Sequence, residues 1–302
     1  MSIVQHRYDF VFLFDCLDGN PNGDPDSDNS PRIDPETCQG LVSDVCLKRK
    51  IRDYVFQAHT RNGEVEHGYD VFVLAGHTLE SRQRLAYQHL KGEVQPKGWD
   101  TRPADVDKAR AWMCQNFFDV RAFGAVMSTT EFNCGQVRGP VQLTFARSVD
   151  RVLSTEHVIA RQAFTGEKNV KAGPGTFGRK HTIAYGLYRS FGFINPVFAE
   201  KTGFSENDLS ALWVALWSLF ELDRSAARGL MATRQLVIFK HDSKLGCAPA
   251  SQLFEMIDIK LKPRVVNPRS FDDYIVTVPK RSALPPGVSI LDPFSATSTR
   301  SN

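Results

Sequence analysis

The sequence predicts an α+β protein of split βαβ, ferredoxin-like order, the order shared by RNA-recognition-motif domains. Three observations predict it. The run RYDFVFLFDC at residues 7–16 is dense in aromatics and Val and reads as a buried strand. Two long segments, 41–58 and 205–222, carry helical apolar periodicity, and strand-like runs stand between and after them. With the inserts set aside, the order is strand, helix, strand, strand, helix, strand. The 302 residues are 42% hydrophobic and 11% aromatic. That length fits one large or two small domains with a sizeable core, and that composition rules out global disorder.

Each element follows in order. After the first strand, GNPNGDPDSDNSPRIDPETCQG is so rich in Pro, Gly, Asn and Asp that regular structure is not expected, and its length points to function. In the first helix Leu47, Ile51, Tyr54, Val55 and Ala58 form one stripe. Lys48, Arg49 and Arg52 fall on the far arc, with Lys50 on the other flank. Residues 60–119 read as an acidic inserted subdomain: a short apolar piece at 69–75, then helix-like stretches at 80–90 and 105–117. Residues 118–127 and 137–148 read as strands. Residues 158–164 and 181–188 read as two arms of a ribbon. In the second helix Ser205 and Asp208 form a capping-box pattern, Trp213 and Trp217 are expected in the core, and Gly229 is the expected stop. A strand at 233–240 completes the order. After Pro263 the chain turns Pro-rich, with one more strand at 273–278 and a loose tail.

A formal charge of +3, from 37 basic and 34 acidic groups, conceals strong patterning. Residues 1–40 hold 8 acidic and 2 basic groups, whereas residues 120–189 hold 4 and 10. The first helix and the C-terminal part from 231 are also basic. Six scattered cysteines form no CxxC and the histidines no HExxH, so neither a zinc site nor a disulfide framework is expected, and a cytoplasmic protein with reduced thiols is. The apolar run at 10–14, between Asp9 and Asp15, is too short for a signal or a membrane span.

Several motifs fail on context. Gly173-Pro-Gly175-Thr-Phe-Gly178 spells GxGxxG, but the segment after it is strand-like where a dinucleotide site needs a helix, and Arg179-Lys180 stands where a P-loop needs Lys then Ser or Thr. Asp24-x-Asp26-x-Asp28 opens like an EF-hand loop, yet Asn29 and Pro35 occupy the positions that need Gly and Glu. The same loop's carboxylates, with Asp34, are candidates for metal-assisted or acid–base chemistry, although no His, Lys or nucleophile is fixed near them in sequence. Arg121, Phe123, Gly124 and Val126 agree with the RNP1 pattern, whereas Ala122, Ala125 and Ser128 depart from it and remove two aromatic positions. The basic arc of the first helix can follow a phosphate backbone. Arg161, Lys168, Lys171, Arg179 and Lys180 make the ribbon a second phosphate-seeking element.

The N-terminal run YDFVFLFDCLDGNPNGDPDSDNSPRIDPETCQGLVSDVCLKRKIRDYV resembles the backbone subunit of the type I-C CRISPR Cascade. FFDVRAFGAVM, RGPVQLTFARSVD and GRKHTIAYGLYRSFGF are similar to the same family, and they bring Arg121 and Arg138 among the RNA-binding candidates. The resemblance is weakest in 60–115 and after 260. It implies an RNA-recognition-motif palm (1–59, 116–154 and 181–262), a helical finger insertion (60–115), a β-hairpin thumb (155–180) and a C-terminal segment (263–302). It implies that Ser43, Lys48, Arg49 and Arg52 hold the guide's backbone, with Asn20, Asn22 and Arg32 in the loop before them. The implied function is non-enzymatic and without cofactor or metal: copies line up along one CRISPR RNA, join the other Cascade subunits, and present the guide to a target DNA strand. Type III relatives carry an aspartate after the first strand that cuts target RNA, which makes an endonuclease with Asp34 or a neighbour the alternative.

Overall fold

The computed structural model describes residues 2–91, 103–160 and 177–294. Its centre is β1 (Tyr8–Gly19), buried on both faces because both are covered. Phe10, Phe12 and Phe14 point to one side, and Val11 and Leu13 to the other, as a strand's two-residue period requires. A short ladder inside the following loop pairs β2 (Gly23–Asp24) with β3 (Ser30–Pro31), so that loop carries more structure than its composition predicts. Next come β4 (Gln39–Val42) and α1 (Asp44–Ala58), then a small hairpin of β5 (Thr60–Arg61) and β6 (Glu64–Val65).

Beyond these lie α2 (Leu79–Lys91) and α3 (Pro103–Asn116), at the predicted helical stretches. The predicted strand at 118–127 is instead α4 (Phe118–Phe123) followed by β7 (Gly124–Met127). Its apolar run is buried all round, and a short run of that kind has no period to separate helix from strand. The predicted strand at 137–148 divides into the end of β8 (Gly135–Arg138), β9 (Val141–Leu143) and β10 (Ala146–Arg151). Pro140, without an N–H, stands at the first break. β8 then pairs with β7, and β9 pairs with the long strand described next.

The ribbon is β11 (Ser154–Ala160) against β12 (Phe177–Ile194), in the register Val158–Arg179. β12 continues past the ribbon and pairs with β1 from Ile183–Gly19 to Ile194–Tyr8. After it come α5 (Pro196–Thr202), α6 (Glu206–Leu222) and β13 (Leu230–His241). α6 begins at the predicted capping box but ends at Asp223, well before Gly229. Trp213 is in the core as expected; Trp217 is not, being 46% exposed beside Phe294.

The principal sheet runs β13–β1–β12–β10–β4, all antiparallel. α1 and α6 pack on one face, where Leu47, Ile51, Leu212 and Leu216 meet the three Phe of β1. Phe14 stacks on Tyr188 with centroids 5.4 Å apart, and Trp213 meets Phe10 edge-on at 5.2 Å. Each such buried side chain contributes about 1.5–3 kcal/mol by area. The other face is covered by α7 (Ala250–Glu255), by the pair β14 (Asp258–Leu261) and β15 (Tyr274–Thr277), the latter at the strand predicted for 273–278, and by β16 (Val288–Leu291), which extends the sheet beside β13 where only a loose tail was expected. Leu253, Tyr274 and Val288 pack there against Val11, Leu13 and Phe239. A separate apolar cluster packs Phe72, Tyr87 and Met113 of the insertion against Phe117, Met127 and Phe132 of the segment that follows it.

Candidate nucleic-acid interface

The loop after β1 is fastened to the start of α1. Ser43 caps the helix, its Oγ accepting the Cys46 N–H at 3.2 Å. Asn22 Oδ1 accepts both the Ser43 N–H at 2.9 Å and the Ser43 hydroxyl at 3.1 Å. Asn20 is buried; its side-chain amide donates to the Asn29 carbonyl at 2.7 Å and its backbone N–H to the Ala227 carbonyl at 2.7 Å. Arg32 lies 3.3 Å from Asp24. These polar residues shape the loop, and through Ala227 they attach it to the turn that follows α6.

The basic residues of α1 separate into three environments. Lys48 bonds to Asp44 at 2.9 Å, and Arg52 donates to Asp119 at 2.8 Å; both cations lie over the Phe123 ring and are mostly covered. Asp119 also accepts the backbone N–H groups of Phe72 and Val73. Arg52 therefore ties α1 to α4 and to the insertion, and the ladder expected on a solvent arc is partly closed off. Arg49 is half exposed and reaches Asp53 at 2.5 Å and Asp223 at 2.9 Å. Lys50, expected on a flank, is buried against the same Asp223, which also takes Arg228 at 2.8 Å. Asp53 and Asp223 together offer two carboxylates to three cations. Burial first, then the neighbouring Arg228 and Arg49, push Lys50 down to about 8.

The foot of the ribbon completes this group. Lys180 donates to the Ala226 carbonyl at 2.6 Å, His181 stands 3.7 Å from Asp28, and Arg179 lies 3.3 Å from Glu156. The acidic loop, the α6–β13 turn, α1 and the ribbon foot thus meet around Arg49, Lys180 and Arg228. Sequence reasoning missed Arg228 and Asp223, because Asp223 is 174 positions from Arg49 along the chain. The available signal was the polar RSAARG segment after a long apolar helix.

Two expected contacts lie elsewhere. Arg121, on a helix and not on a strand, is buried. It forms a bidentate pair with Asp208 at 2.6 and 3.0 Å and donates to the carbonyls of Cys114 and Gly68. Arg138 is exposed at the opposite end of β12, its guanidinium 4.4 Å from the Phe198 ring centroid. Arg161, Lys168 and Lys171, with most of the GxGxxG segment, lie outside the described residues.

Asp34 Oδ1 accepts the N–H groups of Glu36 at 3.0 Å and Thr37 at 3.3 Å, and its other oxygen accepts Arg147 at 2.7 Å. The Arg147 guanidinium, followed by those N–H groups, holds its carboxyl below the ordinary value. Among the described residues no group of three or more His, Cys, Asp or Glu could hold a metal ion, and no helix is long and apolar enough to cross a membrane.

The family described as CRISPR-associated protein Cas7 matches residues 6–279. A curated relative, CRISPR-associated protein Cas7 of Haloferax volcanii, is 29% identical over 235 residues, covering 70% of this chain. The chain spans 63% of that relative's length. Among solved structures, a chain of a "CRISPR RNA-guided surveillance complex, pre-nicking" aligns with a TM-score of 0.49 and 14% identity, over 77% of this chain and 78% of that one. A chain of a type III-B Cmr-beta complex bound to cognate target RNA aligns with a TM-score of 0.40 and 12% identity, over 77% and 61%.

Proposed function

The chain belongs to the Cas7 family of CRISPR-associated proteins, and from that premise we propose that it is a non-catalytic, cytoplasmic backbone subunit of a type I-C Cascade that holds CRISPR RNA. In this reading copies line up along the guide, meet the other Cascade subunits, and present the guide to a target DNA strand. The sheet order supports a ferredoxin-type palm: β13, β1, β12 and β10 stand as fourth, first, third and second strands, with α1 and α6 as the two crossovers on one face. The insertion, held in the separate apolar cluster, is then the finger, and the β11–β12 ribbon the thumb.

One observation carries the RNA reading. Arg49, Lys50 and Arg228 converge on Asp223 beside the ribbon foot, with Asp53 as the second carboxylate and Lys180 as a fourth cation, so the cradle holds more positive charge than it neutralises. A phosphodiester is the complementary partner, and contacts of that kind are indifferent to base sequence. Arg179 and Lys180 extend the same track at the ribbon foot.

The test is titration of the full-length chain with single-stranded RNA at several salt concentrations. Replacing Arg49 and Arg228 together by Glu is expected to weaken binding at least tenfold and to flatten the log-affinity against log-salt slope by about 1.4. Unchanged affinity and slope would remove the cradle assignment. Incubating the assembled complex with complementary RNA and magnesium should leave the RNA intact. Regular cuts that disappear in Asp34→Ala would establish the endonuclease instead.

A further inference from the structure

A hollow of about 820 Å3 lies between α3, β8 and α5, where the insertion meets the sheet. It sits at the Ile194 end of β12, where the Asn195 N–H bonds to the Pro140 carbonyl at 3.0 Å. The Arg49–Lys180–Arg228 cradle sits at the other end. Strand from Lys180 to Ile194 covers on the order of 45 Å, so the two places are distinct.

The chemistry of the walls is specific. Arg110, Arg138 and Lys201 face one carboxylate, Asp107, which lies 2.6 Å from Arg110. The Arg138 guanidinium and the Lys201 ammonium lie over the Phe198 ring, at 4.4 and 5.9 Å from its centroid. Thr202 lines the hollow at only 6% exposure, and its hydroxyl has no hydrogen-bond partner among the described residues. A guanidinium on an aromatic ring offers a broad planar cation for stacking, and the Gln136 amide can both donate and accept.

We propose that this hollow binds one nucleotide unit of a single-stranded nucleic acid, separate from any strand in the cradle. Arg138, Lys201 and Arg110 take the phosphate, and the base lies against the Arg138–Phe198 pair. The size distinguishes this ligand from an acidic peptide. A volume of this kind suits an aromatic-bearing ligand, and one carboxylate side chain would leave most of it unfilled. The proposal does not depend on which strand lies along α1.

The experiment assembles full-length protein on unlabelled RNA and then titrates a fluorescent ten-nucleotide oligothymidylate. Arg138→Glu with Lys201→Glu should weaken oligothymidylate binding at least tenfold while leaving RNA assembly unchanged. The Arg49→Glu, Arg228→Glu chain should show the reverse pattern. Arg138→Lys, which keeps charge but loses the flat stack, should lose about threefold. Unaltered oligothymidylate binding in the Arg138/Lys201 variant overturns the proposal. So does competition by polyglutamate equal to that of unlabelled oligothymidylate, or competition by AMP equal to it, which would mark a site for acidic peptide or for free nucleotide. Should the double variant unfold, photocrosslinking of a thio-substituted oligonucleotide to the wild-type protein decides the matter. Crosslinks in the peptide containing Phe198 support the site, and crosslinks confined to other peptides overturn it.

Discussion

Asp223 is the residue whose removal should be felt most in the cradle. It is the acidic partner of a lysine with no solvent access, and a buried cation left alone typically costs 3–5 kcal/mol. Asp223→Ala should therefore lower stability by about 3 kcal/mol in denaturant unfolding, and adding Lys50→Met should restore most of it. Protons report on the same residues. Burial pushes the thiols of Cys16 and Cys134 up to about 12 and that of Cys114 to about 11. Unfolded, these thiols ionise near pH 8.5, so above that pH the folded chain keeps protons that the unfolded one releases, and stability falls as pH rises. Lys50 acts in the opposite sense: its folded pKa of about 8 lies below the unfolded value near 10.4, and it offsets part of the fall. Lys50→Met should thus steepen the loss between pH 8.5 and 10 by up to about 1.4 kcal/mol per pH unit, measured by urea midpoints at each pH.

At the scale of elements, α4 and α6 depend on one carboxylate. Asp208 closes the capping box with Ser205 and also receives Arg121 from α4. Ser205→Ala should cost about 1 kcal/mol, an ordinary cap loss, whereas Arg121→Met should cost about 3 kcal/mol because Asp208 stays buried without its cation. Thermal unfolding of both variants checks the ranking. Legibility follows the same division. α6 was readable because Ser205, Asp208 and the Leu-rich period state one message, and β1 because alternate residues are apolar on two covered faces. α4 was not, since Phe117, Phe118, Val120 and Phe123 are buried in every direction and leave no period. The candidate site was legible only where it is local: Arg49 as an exposed cation of the first helix. That Arg52 belongs to Asp119, and Arg49 to Asp223, follows from tertiary folding, which no spacing in the chain encodes.

For the whole molecule, the near-neutral sum of charges is a poor guide to behaviour. The acidic loop after β1 and the basic residues around it are neighbours in space, joined through Asn20 to Ala227 and through His181 to Asp28. RNA binding should therefore be strongly salt-dependent although the chain as a whole carries little charge. The segment after Pro263, compositionally a tail, shields one face of the sheet, as Tyr274 and Val288 in one cluster with Val11 and Leu13 attest. Ending the chain at residue 262 should accordingly expose that face and give aggregation or dye binding in place of a soluble fold, read by light scattering.

β12 is at once an arm of the ribbon and the neighbour of β1 through the middle of the sheet. A force pulling on the ribbon along the strand would load the β1–β12 ladder in shear, from Gly19–Ile183 to Tyr8–Ile194, so that its hydrogen bonds resist together and not one after another. Tension arriving at the outer hairpin would reach the centre of the molecule with no hinge to absorb it.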